Sequence, residues 1–314
     1  MALEPEIRST LELLNGLAPM HSLTVDQLRT NMRAGLTEPT LTSVTTRDFT
    51  IDGPAGEIRM RHYLPKGLVS PRLGVFIHGG GFVMGDLDTH DHMCREIAIA
   101  AGCALVSVDY RLAPEHRYPA AVDDTLAAIR WAAASAKELG SASGGLIVIG
   151  DSAGGNIAAA AALSLRDTNE PLLCGQVLIY PVADHYDARR PSYEENGQGY
   201  YLTSRDMVAF WDHYLKDPAQ AQEAGVSPVR AASLKGVAPA FVLTAEYDPL
   251  RDEGEALGRR LDEETEGSDW RRYDGVIHGF VRFSHISPTG RRAIADIGDW
   301  IRRRFVAAAT TDAG

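Results

Sequence analysis

The chain has 314 residues, 45% hydrophobic and 23% charged, enough for one large α/β domain or two ordinary ones around a real core. Lys plus Arg number 31 and Asp plus Glu 42, a formal net charge of −11. With no basic run anywhere, that balance makes a nucleic-acid backbone or an anionic lipid face a poor partner.

The opening MALEPEIRST lacks a basic stretch followed by an apolar one, and no apolar stretch reaches the length of a membrane span, so neither a signal peptide nor stable membrane insertion is expected. Residues 5–17 and 24–35 place Ile7, Leu11, Leu14 and Val25, Leu28, Met32 at helical spacing, with Thr24 and Asp26 suited to a helix start. Residues 44–51 and 57–64 alternate instead, and flank Asp52-Gly53-Pro54-Ala55-Gly56, which predicts an antiparallel hairpin.

From residue 73 short apolar runs alternate with longer helical stretches. The runs are Leu73–Ile77, Ala104–Val108, Leu146–Ile149, Val177–Ile179 and Ala240–Leu243, with a further short strand near Trp270–Tyr273. Helices are expected near 88–101, 119–138, 153–166, 252–264 and 289–307. Strands that are apolar throughout are buried on both faces, so the fold class is α/β, with a mostly parallel sheet covered by helices on both faces. Function in such sheets lies beyond the carboxyl ends of the strands. The stretch of about 184–216 is too long for an ordinary connection; it holds Pro191, Asn196, Gly197 and Gly199 and a helix-like run from Ser204 to Leu215. It reads as a lid, which the two N-terminal helices, about 1–40, could complete.

Four strand ends carry unusual residues. Gly150-Asp151-Ser152-Ala153-Gly154 follows one apolar run and precedes an alanine-rich stretch, the strand–turn–helix setting of a nucleophile elbow, whose glycines avoid collisions with the neighbouring strand and helix. His78-Gly79-Gly80-Gly81-Phe82 follows the first parallel strand; three glycines in a row make a loop whose bare amides can crowd around a developing oxyanion. His78 itself reads as a hydrogen-bonder that shapes this loop. Asp248 comes soon after the run ending at Leu243, with Glu246 as a competitor and Asp252 reading as a helix start. His278 is the general-base candidate, and His285 reads as a polar residue of the next segment. Ser152, then Asp248, then His278 is the chain order of one serine-hydrolase class.

These stretches resemble the hormone-sensitive-lipase-like family of esterases, in the α/β-hydrolase superfamily. The match rests on His78-Gly79-Gly80-Gly81-Phe82, Gly150-Asp151-Ser152-Ala153-Gly154-Gly155-Asn156, Asp109-Tyr110-Arg111-Leu112-Ala113-Pro114-Glu115, Asp248-Pro249-Leu250 and His278-Gly279-Phe280, and covers roughly residues 45–305. The resemblance implies an α/β-hydrolase fold with a helical cap, a single domain over 1–314, and oxyanion donors at Gly80, Gly81 and Ala153. Asp109, Arg111 and Glu115 read as a charged turn that positions neighbouring loops.

The function expected is a serine carboxylesterase for short- to medium-chain esters, with Phe82, Tyr200 and Phe210 as pocket residues. An amidase or deacetylase would use the same residues, and a non-catalytic receptor on this fold would be expected to lack a triad member. No cofactor is expected: His90-Asp91-His92 lacks the further ligands of a metal site, and there is no G-x-G-x-x-G after the first strand and no P-loop. Cys94, Cys103 and Cys174 are odd in number and widely spaced, which points to buried thiols in a reducing, cytoplasmic setting; none has a glycine elbow. The partner expected is a small ester. A homodimer is compatible with the sequence, which does not fix the oligomeric state.

Overall fold

A computed structural model describes residues 2–34, 36, 41–69, 71–142 and 144–311. The N-terminal segment forms α1 (Pro5–Asn15) and α2 (Val25–Ala34). The expected second helix extends to residue 35 and the expected cap segment includes 1 and 37–40; these residues lie outside the described ones. β1 (Val44–Gly53) and β2 (Gly56–Pro65) pair antiparallel, with Ile51 opposite Ile58.

The alternating part follows as β3 (Leu73–Ile77), α3 (Asp91–Ala101), β4 (Ala104–Asp109), α4 (Ala120–Ser135), β5 (Leu146–Asp151), α5 (Ala153–Asp167) and β6 (Leu173–Ile179). The insertion then carries α6 (Ser192–Glu195) and α7 (Ser204–Tyr214) before β7 (Ala240–Tyr247), α8 (Arg251–Glu264), β8 (Asp269–Ile277) and α9 (Pro288–Thr311). The sheet has eight strands in the order β1-β2-β4-β3-β5-β6-β7-β8. Every pair from β4 to β8 is parallel, while β2 meets both β1 and β4 antiparallel.

The all-apolar strands are explained by the two cores they separate. Successive side chains of a strand point to opposite faces. Val75, Val106, Val148 and Val242 enter the core under α4 and α5, which supply Ile129 and Ala158. Phe76, Leu105, Ile147 and Phe241 enter the core under α3 and α9, which supply Ile97 and Ile297. Helix α5 is buried along Ala158–Ala162, and these small side chains let it lie close to the sheet beneath the turn from which it starts.

Two strands run further than the apolar pattern indicates. β7 continues to Tyr247 and β8 to Ile277, past the polar residues that end each apolar run. The backbone ladder carries on across an irregularity between Ala245 and Tyr247, opposite Gly275, whose φ of 77° suits a residue without a Cβ. The extension leaves Asp248 and His278 each one residue past the end of adjacent strands.

Candidate active site

The elbow is a backbone feature first. Ser152 has φ 54° and ψ −120°, a conformation that L-residues rarely hold. It is fastened on both sides: its N–H donates to the Ile179 carbonyl at 2.8 Å, and its carbonyl accepts from Asn156 and Val182 at 3.2 Å each. Gly154 has no room for a side chain, since a Cβ there would sit 2.0 Å from the Ile77 carbonyl oxygen of β3. The result is a hydroxyl held up between the end of β5 and the start of α5.

Three side chains from three strand ends then meet. His278 Nε2 lies 2.9 Å from Ser152 Oγ, and His278 Nδ1 lies 2.7 Å from Asp248 Oδ2. The other carboxylate oxygen of Asp248 accepts from the Leu250 N–H at 2.8 Å, so the carboxylate is tied on both sides. Tyr180, at the end of β6, stands edge-on to the His278 ring with centroids 4.8 Å apart. Asp248 and His278 are buried and Ser152 is half-buried. With Asp248 as acceptor, Nδ1 carries the proton and Nε2 is free to accept from the serine hydroxyl, the arrangement that turns an alcohol into a nucleophile.

The other carboxylates near these strand ends are engaged elsewhere. Glu246 accepts from the Gly275 N–H at 2.7 Å, Asp252 from the Ser192 N–H at 2.8 Å, and Asp274 from Arg272 at 2.8 Å. His285 is exposed, with its ring near that of His92.

The glycine loop after β3 is braced from beneath. Asp151, next to Ser152, accepts from the Gly79 N–H at 2.8 Å and faces His90 Nε2 at 3.4 Å. His78 is wholly buried; its Nδ1 donates to the Gly79 carbonyl at 2.9 Å and its ring stacks on Tyr110. Burial holds the His78 imidazole neutral, its pKa lowered to about 4. Gly80 and Gly81 take φ values of 126° and 58°. The amides of Gly80, Gly81 and Ala153 make no hydrogen bond to any described residue.

The N-terminal segment reaches the same loop. Arg29 of α2 donates through Nε to the Val83 carbonyl at 2.9 Å and through Nη2 to the Ala113 carbonyl at 3.1 Å, and grips both oxygens of Glu115 at 2.7 Å. That hydrogen-bonded pair draws the Glu115 carboxyl down to about 2. His21 and Asp206 tie the segment to α7, with His21 N–H and Nδ1 at 2.7 and 2.8 Å from the carboxylate.

The expected pocket residues fall into different surroundings. The Phe210 ring lies over Gly81, so close that a Cβ on Gly81 would be 2.5 Å from it. Tyr200 is half-buried and stacks on Tyr247 at 4.9 Å. Phe82 is buried against Tyr214, ring centroids 3.8 Å apart, behind the glycine loop.

Three further residues brace the site and carry no motif. Asn196 donates to the carbonyls of Glu246 and Asp248 at 3.2 Å each. Glu253, buried on α8, accepts from Ala183 N–H at 2.9 Å, where the insertion begins, and burial pushes its carboxyl well up. Arg29 is the third. Each acts on a partner more than 50 positions away, beyond the reach of any local pattern.

A family model described as alpha/beta hydrolase fold matches residues 74–282. The chain is 38% identical over 273 residues to the esterase LipI of Mycobacterium tuberculosis, covering 86% of this chain and 85% of that one. It is 36% identical over 309 residues to an ethyl acetate hydrolase of Pseudomonas putida, covering 91% and 94%. Among solved structures, a hyperthermophilic esterase from the archaeon Pyrobaculum calidifontis superposes with a TM-score of 0.90 at 39% identity, covering 98% of this chain and all of that one.

Proposed function

The chain belongs to the alpha/beta hydrolase fold family, in its hormone-sensitive-lipase-like branch, and from that premise we propose that it is a carboxylic ester hydrolase in which Ser152, His278 and Asp248 do the chemistry. The observation that carries the reading is the unbroken line Asp248–His278–Ser152, at 2.7 and 2.9 Å, on a serine of strained backbone. Ser152 Oγ attacks the ester carbonyl as its proton passes to His278 Nε2. Asp248 holds the imidazole in the productive tautomer and stabilises the imidazolium. His278 then gives the proton to the leaving alcohol, and water, activated by the same nitrogen, releases the acid from the acyl-serine. The amides of Gly80, Gly81 and Ala153 receive the oxyanion; their lack of an acceptor in the protein suits that role.

A cap built from the N-terminal segment and the insertion is part of the reading. It is supported by the His21–Asp206 tie and by Phe210 leaning on Gly81. Phe210 and Tyr200 would wall a pocket for acyl chains of about two to eight carbons, with Phe82 supporting the wall from behind. Relatives named for ethyl acetate and acetyl ester hydrolysis favour small acyl groups. A cytoplasmic setting fits the buried thiols of Cys94 and Cys103, the latter pushed up to about 12 by burial. No helix among the described residues is long and apolar enough to cross a membrane.

The test is a panel of p-nitrophenyl esters of increasing acyl length, run with the native protein and Ser152→Ala. The native protein should favour the short, dissolved esters. The folded variant should lose about 10⁴–10⁶-fold in kcat and resist labelling by a fluorophosphonate probe. A variant that keeps more than a tenth of the activity removes Ser152 from the mechanism, and a preference for emulsified long-chain triglyceride removes the pocket assignment.

A further inference from the structure

His278 sits in the connection between β8 and α9, and one residue distant in sequence holds both ends of that connection. The Glu4 N–H donates to the carbonyl of Gly275, three residues before His278, at 2.8 Å. The Glu4 side chain crosses to the far end. Its Oε1 accepts from the Thr289 N–H at 3.0 Å, and its Oε2 accepts from the Ser287 hydroxyl. Ser287 Oγ in turn accepts from the Gly290 N–H at 2.9 Å. A carboxylate at the first turn of the 24-residue α9 meets amides without a helical acceptor and the positive end of the helix dipole, so the contact is favourable.

Three segments join at Gly275. On its other side the Gly275 N–H donates at 2.7 Å to Glu246, two residues before Asp248. Glu4, β8 and β7 are thus linked in one line across the strand ends that present His278 and Asp248. The approach is close: a Cβ on Gly275 would stand 3.2 Å from the Ala2 carbonyl oxygen and 3.5 Å from the Glu4 nitrogen. Glu4 is itself held. It is half-buried, its carbonyl accepts from the Arg8 N–H at 2.9 Å as α1 begins, and Ile7 of α1 is buried in the core that also holds Ile277 and Phe280. Within the connection, Ile277 and Phe280 are fully buried and the Ser284 hydroxyl donates to Glu96 of α3. The imidazole therefore rides on a segment with little freedom of its own, whose placement follows that of its two ends.

We propose that Glu4 is a positioning residue for His278: by spanning from Gly275 to the start of α9 it sets where the imidazole stands between Asp248 and Ser152. The proposal rests on the esterase reading and extends the machinery of that reaction to the N-terminal segment, which a cap alone would use as a cover. The separations at stake, 2.7 and 2.9 Å, are those of working hydrogen bonds. A general base moved off that line is costly in rate, while the contacts that bind the ester stay as they were.

The experiment uses the full chain, with kinetics on p-nitrophenyl acetate and the low-field proton NMR resonance of the His278–Asp248 hydrogen bond as its two readouts. Glu4→Ala should lower kcat about tenfold with KM within about twofold, and should shift or broaden that resonance. Glu4→Gln keeps an acceptor for the Thr289 N–H, so it should retain at least about half of the native kcat and the native resonance. A folded Glu4→Ala with a lowered urea midpoint but native kcat and resonance overturns the proposal, making Glu4 a structural tie. A change confined to KM overturns it too, because it places Glu4 in the service of the pocket. Should Glu4→Ala fail to fold, Ser287→Ala removes one of the two side-chain anchors. It should lower kcat about threefold at unchanged KM, and native kcat and resonance in that variant overturn the proposal. If the native protein hydrolyses no ester, the esterase reading fails and the resonance decides alone: a shift in Glu4→Ala supports the placement of the imidazole by Glu4, and an unmoved resonance overturns it.

Discussion

Four carboxylates crowd the ends of β7 and β8, and their hydrogen bonds give each a different job. Asp248 alone reaches His278; Glu246 holds Gly275, Asp252 holds Ser192 and Asp274 pairs with exposed Arg272. Replacing Asp248 by Asn keeps the shape but lets the imidazole take the wrong tautomer. kcat should fall about 10²–10⁴-fold with little change in KM. Glu246→Gln, Asp252→Asn and Asp274→Asn should each cost less than about tenfold, and Asp252→Asn should show its effect in the denaturation midpoint, since it releases the start of α6. Parallel kinetics on the four variants check this; an active Asp248→Asn beside a dead competitor assigns the acid elsewhere. The candidates Ser152, Asp248 and His278 were legible because a strained turn, a strand end and a buried carboxylate each impose a local residue pattern. Asn196, Glu253 and Arg29 were not, because a hydrogen bond across 50 to 86 positions leaves no periodicity behind.

Helix α2 behaves less like a covering element than like a strut. Arg29 spans from it to the Val83 carbonyl, three residues past Gly80, and to the Ala113–Glu115 turn. Val83 and Met84 in turn donate to the Gly80 carbonyl. Removing the guanidinium leaves the glycine loop closed but free to shift, and small displacements of a preorganised donor are costly in rate. Arg29→Ala should therefore lower kcat by about tenfold and slow fluorophosphonate labelling by a similar factor, while KM for a short ester moves little. Arg29→Lys should rescue only in part, because an ammonium cannot grip Glu115 at both oxygens and two carbonyls together. A change confined to KM would mean that Arg29 serves the pocket and leaves the loop alone. The periodicity of α2 was readable from Val25, Leu28 and Met32, which describe its apolar face; its purpose sits on the polar face, where a lone arginine carries no signal.

Across the whole molecule, the sheet was the most legible feature, since a strand buried on both faces has to be apolar throughout. Its two longest parallel neighbours were underestimated, because Glu246 and Asp274 interrupt the apolar run while the backbone ladder continues past them. Burial also sets a pH limit on stability. His62 and His78 are buried, and desolvation lowers each to about 4, against about 6.5 in an unfolded chain. Between those values the unfolded chain binds protons that the folded one refuses, so stability should fall as pH drops from about 6.5 to about 4, by about 1.4 kcal/mol per pH unit for each histidine, and level off below. Urea midpoints measured across this range check the slope, and His62→Gln should flatten it by about half; an unchanged slope would assign the acid sensitivity to other groups.

Ser152 and His278 stand 126 positions apart, and every strand from β5 to β8 must be in place before they touch. A ribosome delivers β8 last. On the proposed mechanism the nascent chain carries an inert serine until β8 has emerged, and an amino-terminal fragment that stops short of His278 should hydrolyse no ester. Refolding follows the same logic, since parallel pairings between distant segments form late and slowly. After dilution from denaturant, the helical circular-dichroism signal should return ahead of ester turnover, which makes turnover a count of completed molecules.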